Sequence, residues 1–285
     1  MHEVILKNHP IPVVHKYLLG SVGPRPICFA STIDKDGTPN LSPFSFFNVF
    51  SANPPIVAFS PARSGRTGKT KDTYENCKQV PEVVINVVTY DIVQQMSLSS
   101  SPYEHGVNEF VKAGFTQRES VDVKPFRVAE SPIQMECKVK EIIELGDSGG
   151  SGNLIICEVL RMHIDEDMLD DDQLVDQEKI DLVARMGKNW YCRAHGDALF
   201  EIPKPVTTLA IGIDGLPDHI RNSSRLTGNQ LGVLGCLEEF PTEAEIAAAP
   251  ELGEEALYAE VSKLIEGHHA HEALCLLIKN LEHES

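Results

Sequence analysis

Apolar residues follow two different patterns along this chain. Over residues 20–164 they come in short runs separated by turn residues, and beyond about residue 205 they recur at helical spacing. The run ICFAST, behind Pro24 and Pro26, reads as a first strand within residues 22–32. Asp36-Gly37 supplies a hairpin turn, which pairs that strand with a second at 40–49. The second strand is aromatic, with Phe44, Phe46 and Phe47 in it and Phe50 just beyond. Asn53-Pro54-Pro55 forces a turn, because each proline fixes its own φ and restricts the residue before it. Residues 56–60 then form a short apolar strand suited to burial on both faces.

A Ser-, Thr- and Gly-rich loop follows, carrying Arg63, Arg66, Lys69 and Lys71. Asp72 or Thr73 is placed to cap a helix running to about Gln79. Residues 82–90 are a dense β-branched strand, 91–99 a helix, and 99–115 a loop with a short helix. Residues 133–145 and 153–164 read as two long strands joined by a flexible loop, GDSGGSG. The N-terminal 1–20 is a lead-in in which Pro10 and Pro12 discourage helix. Strands and turns with few helices predict a mainly β fold, a closed antiparallel barrel without exposed edges. The acidic run 165–178 is expected to approach helix and face solvent; its sixth residue is Asp170, where a calcium loop needs glycine. In the tail, Thr242 and Glu245 make a capping box for a helix stopping at Pro250. Leu257, Val261, Leu264 and Ile265, then Leu274, Leu277, Ile278 and Leu281, predict a helical hairpin turning near Gly267.

Composition narrows the function classes. Residues 1–160 hold 15 Lys and Arg against 17 Asp and Glu, while 161–285 hold 10 against 25. That acidity argues against nonspecific binding to nucleic acid or an anionic membrane and makes the loop at 63–71 a local basic exception. No apolar run approaches a membrane span, and the first residues lack a signal-peptide pattern. Seven cysteines without a CxxC pair favour reduced thiols and a cytoplasmic setting. His268, His269 and His271 lack the further ligands of a metal site, and no metal is expected. No Ser-His-Asp or Cys-His arrangement or paired carboxylates can be read from the spacing. Gly68-Lys69-Thr70 imitates the end of a nucleotide-binding P-loop, but that motif requires glycine where Arg63 stands.

The series PRPICFAST, DKDGTPNLSPFSFFNVFSANPPIVAFS and TKDTYEN resembles the flavin-reductase-like family of FMN-binding split barrels, over about residues 10–200. The resemblance implies a six-stranded antiparallel split β-barrel of Greek-key type with peripheral helices. Residues 1–204 would be the FMN-binding domain and 205–285 a mostly helical C-terminal extension. It implies FMN as cofactor, NAD(P)H as co-substrate, and a homodimer with flavin sites at or near the interface. Catalysis would then rest on the flavin and on no side chain. The backbone from Asn40 through Leu41 and Ser42 to Ser45 would meet the ring's polar edge. Phe46 and Phe47 would put one ring toward the flavin and one into the core. Ser60 belongs to the same cofactor-binding set, and Arg63, Lys71 and Thr73 would meet the phosphate, with Asp72 capping the helix. An Arg-x-Gly segment followed by an aromatic residue occurs after the barrel in relatives; Arg185, Gly187 and Tyr191 resemble it. These residues and the loop histidine His105 are further candidates to reach the flavin. The expected activity is hydride transfer from NAD(P)H through FMN to a flavin or another acceptor. Two alternatives are a non-enzymatic FMN carrier of the same fold and a cofactor-free module whose tail recruits partners.

Overall fold

The break in the aromatic strand determines the architecture. A computed structural model of the protein describes residues 1–202 and 208–281, and two units are distinguished, Met1–Phe200 and Glu201–Ser285. The expected boundary at 204/205 lies outside the described residues. The first unit begins with α1 (Ile11–Ser21), β1 (Cys28–Ile33), β2 (Pro39–Phe44), β3 (Phe47–Ala52) and β4 (Pro55–Phe59). It continues with α2 (Asp72–Gln79), β5 (Glu82–Asn86), α3 (Val93–Ser99), α4 (Glu109–Ala113), β6 (Gln117–Arg118) and β7 (Arg127–Val128). The long strands β8 (Ile133–Glu144) and β9 (Asn153–Ile164) follow, and a small hairpin of β10 (Val183–Arg185) and β11 (Tyr191–Arg193) completes the unit.

The main sheet has seven antiparallel strands in the order β2-β1-β5-β8-β9-β4-β3, not six. The extra strand arises because residues 40–49 do not form one strand: the chain bends at Ser45–Phe46. Its two halves become the two edges of the sheet, and no ladder joins them. The expected hydrogen-bonded closure is therefore absent. Three Cα steps from Phe44 to Phe47 span at most about 11 Å, so the sheet must curl until its edges approach.

The β2 edge is protected by its own sequence. Leu41 donates its amide away from β1, to the Glu109 carboxylate at 3.0 Å. By alternation, Pro39 and Pro43 share that outward position, and neither has an N–H. One side of β1 packs Cys28 and Ala30 with Phe59, Ile85 and Ile155, and Phe44 and Phe47 close this cluster. The other packs Ile27 and Phe29 with Ile92, Met96, Phe110 and Phe115 around α3 and α4. Coverage on both faces explains why ICFAST lacks polar alternation.

Two expectations are corrected. Residues 11–21 are helical, because Pro10 sits at the N-cap and Pro12 in the first turn, where a missing N–H costs nothing. The acidic run forms one short 3-10 helix, Glu166–Met168, and then successive turns in place of an α-helix. Asp170 accepts the amides of Asp172 and Leu174, and Asp176 accepts those of Glu178 and Lys179, so side chains compete with helical hydrogen bonding.

The second unit contains α5 (Asp218–Arg221), α6 (Gly228–Gly235), α7 (Glu243–Ala248), α8 (Glu254–Glu266) and α9 (Ala270–Leu281). The Thr242–Glu245 capping box is formed. Leu257 and Val261 of α8 pack with Leu274, Leu277 and Ile278 of α9, which is the expected helical hairpin. All seven cysteines are unpaired, and five are buried. Among the described residues no helix is long and apolar enough to cross a membrane.

Candidate functional site

The bend at Ser45–Phe46 and the basic loop after β4 lie side by side, since the Ser60 amide donates to the Phe46 carbonyl at 2.9 Å. Ser45 and Phe46 lie outside both neighbouring ladders. Arg25 donates from Nε to the Ser45 hydroxyl at 3.4 Å and from Nη2 to the Met186 carbonyl at 2.9 Å, which ties the bend to the segment after β10. Of the aromatic residues, Phe44 and Phe47 pack into the core, whereas Phe46 faces His15 with its ring partly exposed.

Behind β2 lies a polar network that sequence reasoning missed. Glu109 opens α4, and its carboxylate accepts the Asn40 amide group and the Leu41 backbone N–H, both at 3.0 Å. The Asn40 carbonyl accepts the Thr73 hydroxyl at 2.8 Å, and Asn76 donates to Thr32 at 3.1 Å. Asn40, Leu41 and Thr73 are thus buried and partnered within the protein. Burial pushes the Glu109 carboxyl above its ordinary value, although the Leu41 amide pulls the other way. Ser42, on β2 opposite Ala30, is half-buried. The available backbone donors of this stretch therefore begin at Ser45.

The basic loop folds onto the β8–β9 connection. The Arg63 amide donates to the Ser151 carbonyl at 2.8 Å, and the Gly150 amide returns to the Arg63 carbonyl at 3.0 Å. The Arg63 guanidinium meets Glu144 at 3.3 Å, and Glu144 also accepts the Tyr74 hydroxyl. The Tyr74 bond, with Arg63 and Lys78 nearby, holds the Glu144 carboxyl below its ordinary value. Two buried atoms in the loop lack a partner: the Ser60 hydroxyl and Arg63 Nε. Lys71 occupies the N-cap position of α2, and no side chain caps that helix. The expected Asp72 cap is not formed; Asp72 lies one residue inside the helix and pairs with His105 at 3.2 Å. Arg185 bridges to the backbone of Arg25 and stacks on Tyr191 at 4.6 Å. A cleft of about 180 Å³ between α3 and the β10–β11 hairpin is lined by Tyr191, Cys192 and Arg193, but by none of the ten expected cofactor-binding residues.

The model of the flavin reductase like domain family matches residues 20–180, more than half of the chain. The protein belongs to the flavin reductase-like family. An uncharacterised protein of Aquifex aeolicus is 34% identical over 201 residues, covering 70% of this chain and all of its own. Among solved structures, nitrilotriacetate monooxygenase component B from Bacillus cereus is 27% identical at TM-score 0.66, covering 71% of this chain and 98% of that one. A Shewanella frigidimarina protein with a split barrel domain, a candidate flavin reductase, is 26% identical at TM-score 0.61, covering 72% and 100%. The second unit lies outside the family match.

In a flavin reductase-like chain these residues suit a phosphorylated flavin. Unpartnered polar atoms at Ser60 and Arg63, the exposed Lys71 ammonium and an uncapped helix N-terminus supply what a ligand with a phosphate requires. Glu109 gave no sequence signal because its partners are a backbone amide and a side chain 69 positions away.

Proposed function

We propose that the protein is an FMN-dependent oxidoreductase that takes hydride from NAD(P)H and passes electrons to a flavin or another acceptor. The carrying observation is the convergence of the Ser45–Phe46 bend with the unpartnered atoms of Ser60 and Arg63. Bound FMN would supply the hydride chemistry that ordinary side chains lack. The chain's own residues bind, orient and shield. Ser45 and Phe46, free of the ladders, offer backbone groups to the polar edge of the ring, and Phe46 offers an apolar surface. Arg63 and Lys71 hold the phosphate with the α2 N-terminus. Asn40, Leu41 and Thr73 act indirectly, by locking β2 against Glu109 and α2. Ser42 pairs with Ala30 of β1, and Phe47 pairs with Phe59 of β4, so each keeps its own edge of the sheet in place.

FMN is favoured over FAD because the chain offers one compact basic loop and no dinucleotide fingerprint. Two copies would associate through β3, where Val49 and Phe50 are 66% and 67% exposed, with Phe46 beside them at 39%. Mass analysis of the ligand released from purified protein is expected to show FMN, and light scattering to show a dimer. Mainly FAD, or no flavin under any purification, would overturn the cofactor reading. A monomer that retains flavin would overturn the dimer alone.

A further inference from the structure

The open cleft of about 180 Å³ between α3 and the β10–β11 hairpin takes in none of the residues proposed to hold flavin. Its walls follow from the local pairing. The Tyr90 amide donates to the Asp181 carbonyl at 3.1 Å, and Thr89 bridges to Leu182, so the hairpin starts alongside the chain that leads into α3. Beyond this junction the cleft lies between helix and hairpin. Tyr90, Gln94 and Ser97 follow one another at helical spacing and line one wall, while Ile92 and Met96 pack into the core. On the other wall, Val183, opposite Arg193, and Tyr191, two residues before Arg193, share one face of the paired strands.

The chemistry of these walls selects a class of ligand. Arg193 is the one charged residue in the lining, and Asp181 already takes its guanidinium through two hydrogen bonds, at 2.7 and 2.6 Å. The same pairing holds the Asp181 carboxyl below its ordinary value, so the two charges persist together at neutral pH. A charged ligand would shed its hydration here without gaining an ion pair. Arg193 also stacks on the Tyr90 ring at 3.9 Å, and Arg185 on that of Tyr191 at 4.6 Å, which holds both rings in place. With Val93 and Val183 these rings give the cleft an apolar lining, and Gln94 and Ser97 add an amide and a hydroxyl that both donate and accept. The volume exceeds the roughly 150 Å³ of a cavity that admits benzene and lies below the roughly 300–1,000 Å³ typical of sites for larger organic ligands.

We infer that this cleft binds a neutral, single-ring aromatic molecule of the phenol class, its ring against the apolar lining and its hydroxyl toward Gln94 and Ser97. The site is separate from the one proposed for flavin and does not depend on it. The two share the hairpin: Arg185 pairs with Arg25, which donates to the Ser45 hydroxyl and the Met186 carbonyl, so a molecule in the cleft rests on the element that steadies the bend. Cys192 also lines the cleft and reports on its occupancy. It is half-buried, Cys236 is exposed, and the other five cysteines are buried.

The test follows alkylation of Cys192 by N-ethylmaleimide in the full-length protein, read by peptide mass analysis, with p-cresol, benzoate or benzylamine present. p-Cresol is expected to slow the labelling of Cys192 with a midpoint on the order of 0.1–5 mM, the range for so small a ligand in an open cleft, while Cys236 reacts as before. Benzoate and benzylamine, both charged at neutral pH, should need at least about tenfold more. Gln94→Ala is expected to weaken p-cresol roughly three- to tenfold, and Ser97→Trp, which fills the cleft from α3, to abolish its effect. Both positions are exposed, so the melting temperature should change little. Loading the protein with FMN should leave the p-cresol midpoint where it was. Equal protection by the charged compounds, an undiminished effect in Ser97→Trp, or competition between p-cresol and FMN would each overturn the assignment. So would equal slowing of Cys236, or no protection of Cys192 well above the expected range.

Discussion

Glu136→Ala is expected to destabilise the first unit by about 3–5 kcal/mol, the scale of breaking a buried, multiply bonded charge. Glu136 lies on β8, and its carboxylate is fully buried. It accepts the Val121 amide at 2.9 Å, the amides of Asp122 and Val123, and a bond with His163 Nε2 at 2.6 Å. Alanine leaves all of these partners without the carboxylate. The same group makes stability depend on pH. Burial works to raise the carboxyl, but the Val121 and Asp122 amides, with His163, more than offset it and leave the pKa below the ordinary 4.5. With the folded value depressed, the unfolded chain takes up the proton first as the solution is acidified. The stabilisation is complete above about pH 4.5 and is lost as pH falls through the lower folded value. Denaturant melts of parent and Glu136→Gln across this range should show the parent losing more stability on acidification. Parallel pH curves, or an alanine variant within 1 kcal/mol of the parent, where ordinary surface substitutions fall, would contradict this role.

Lys71→Ala should weaken FMN by about 1.5–3 kcal/mol, roughly ten- to hundredfold in Kd, and leave riboflavin unchanged. The lysine is exposed, forms no ion pair among the described residues, and stands at the uncapped start of α2. Its contribution should shrink with added salt, because an exposed charge is screened. An equal loss for both ligands would mean damage to the fold, and no loss would place the phosphate elsewhere.

Much of the fold was legible because the sequence signals are local. The long strands begin at Ile133 and Asn153, as the apolar runs predict, and the Thr242 capping box opens α7. Pro12 misled because a proline in the first turn of a helix and one before a strand look alike without knowledge of the N-cap. The Ser45–Phe46 bend has neither glycine nor proline to mark it; it follows from the sheet curling, a tertiary demand. The site was legible as a segment but not in its roles. Thr73 reads as a phosphate ligand until its hydroxyl is seen bonded to Asn40. Glu109 serves partners far along the chain and shows no pattern that spacing reveals.

Anaerobic titration of the flavin-loaded protein with NADH and NADPH tests the central claim most directly. The account predicts that the visible absorbance of the bound flavin bleaches with at least one of the two and returns when an electron acceptor is added. A protein that holds its flavin but leaves it oxidised in the presence of both would be a carrier, and the proposed oxidoreductase activity would be refuted.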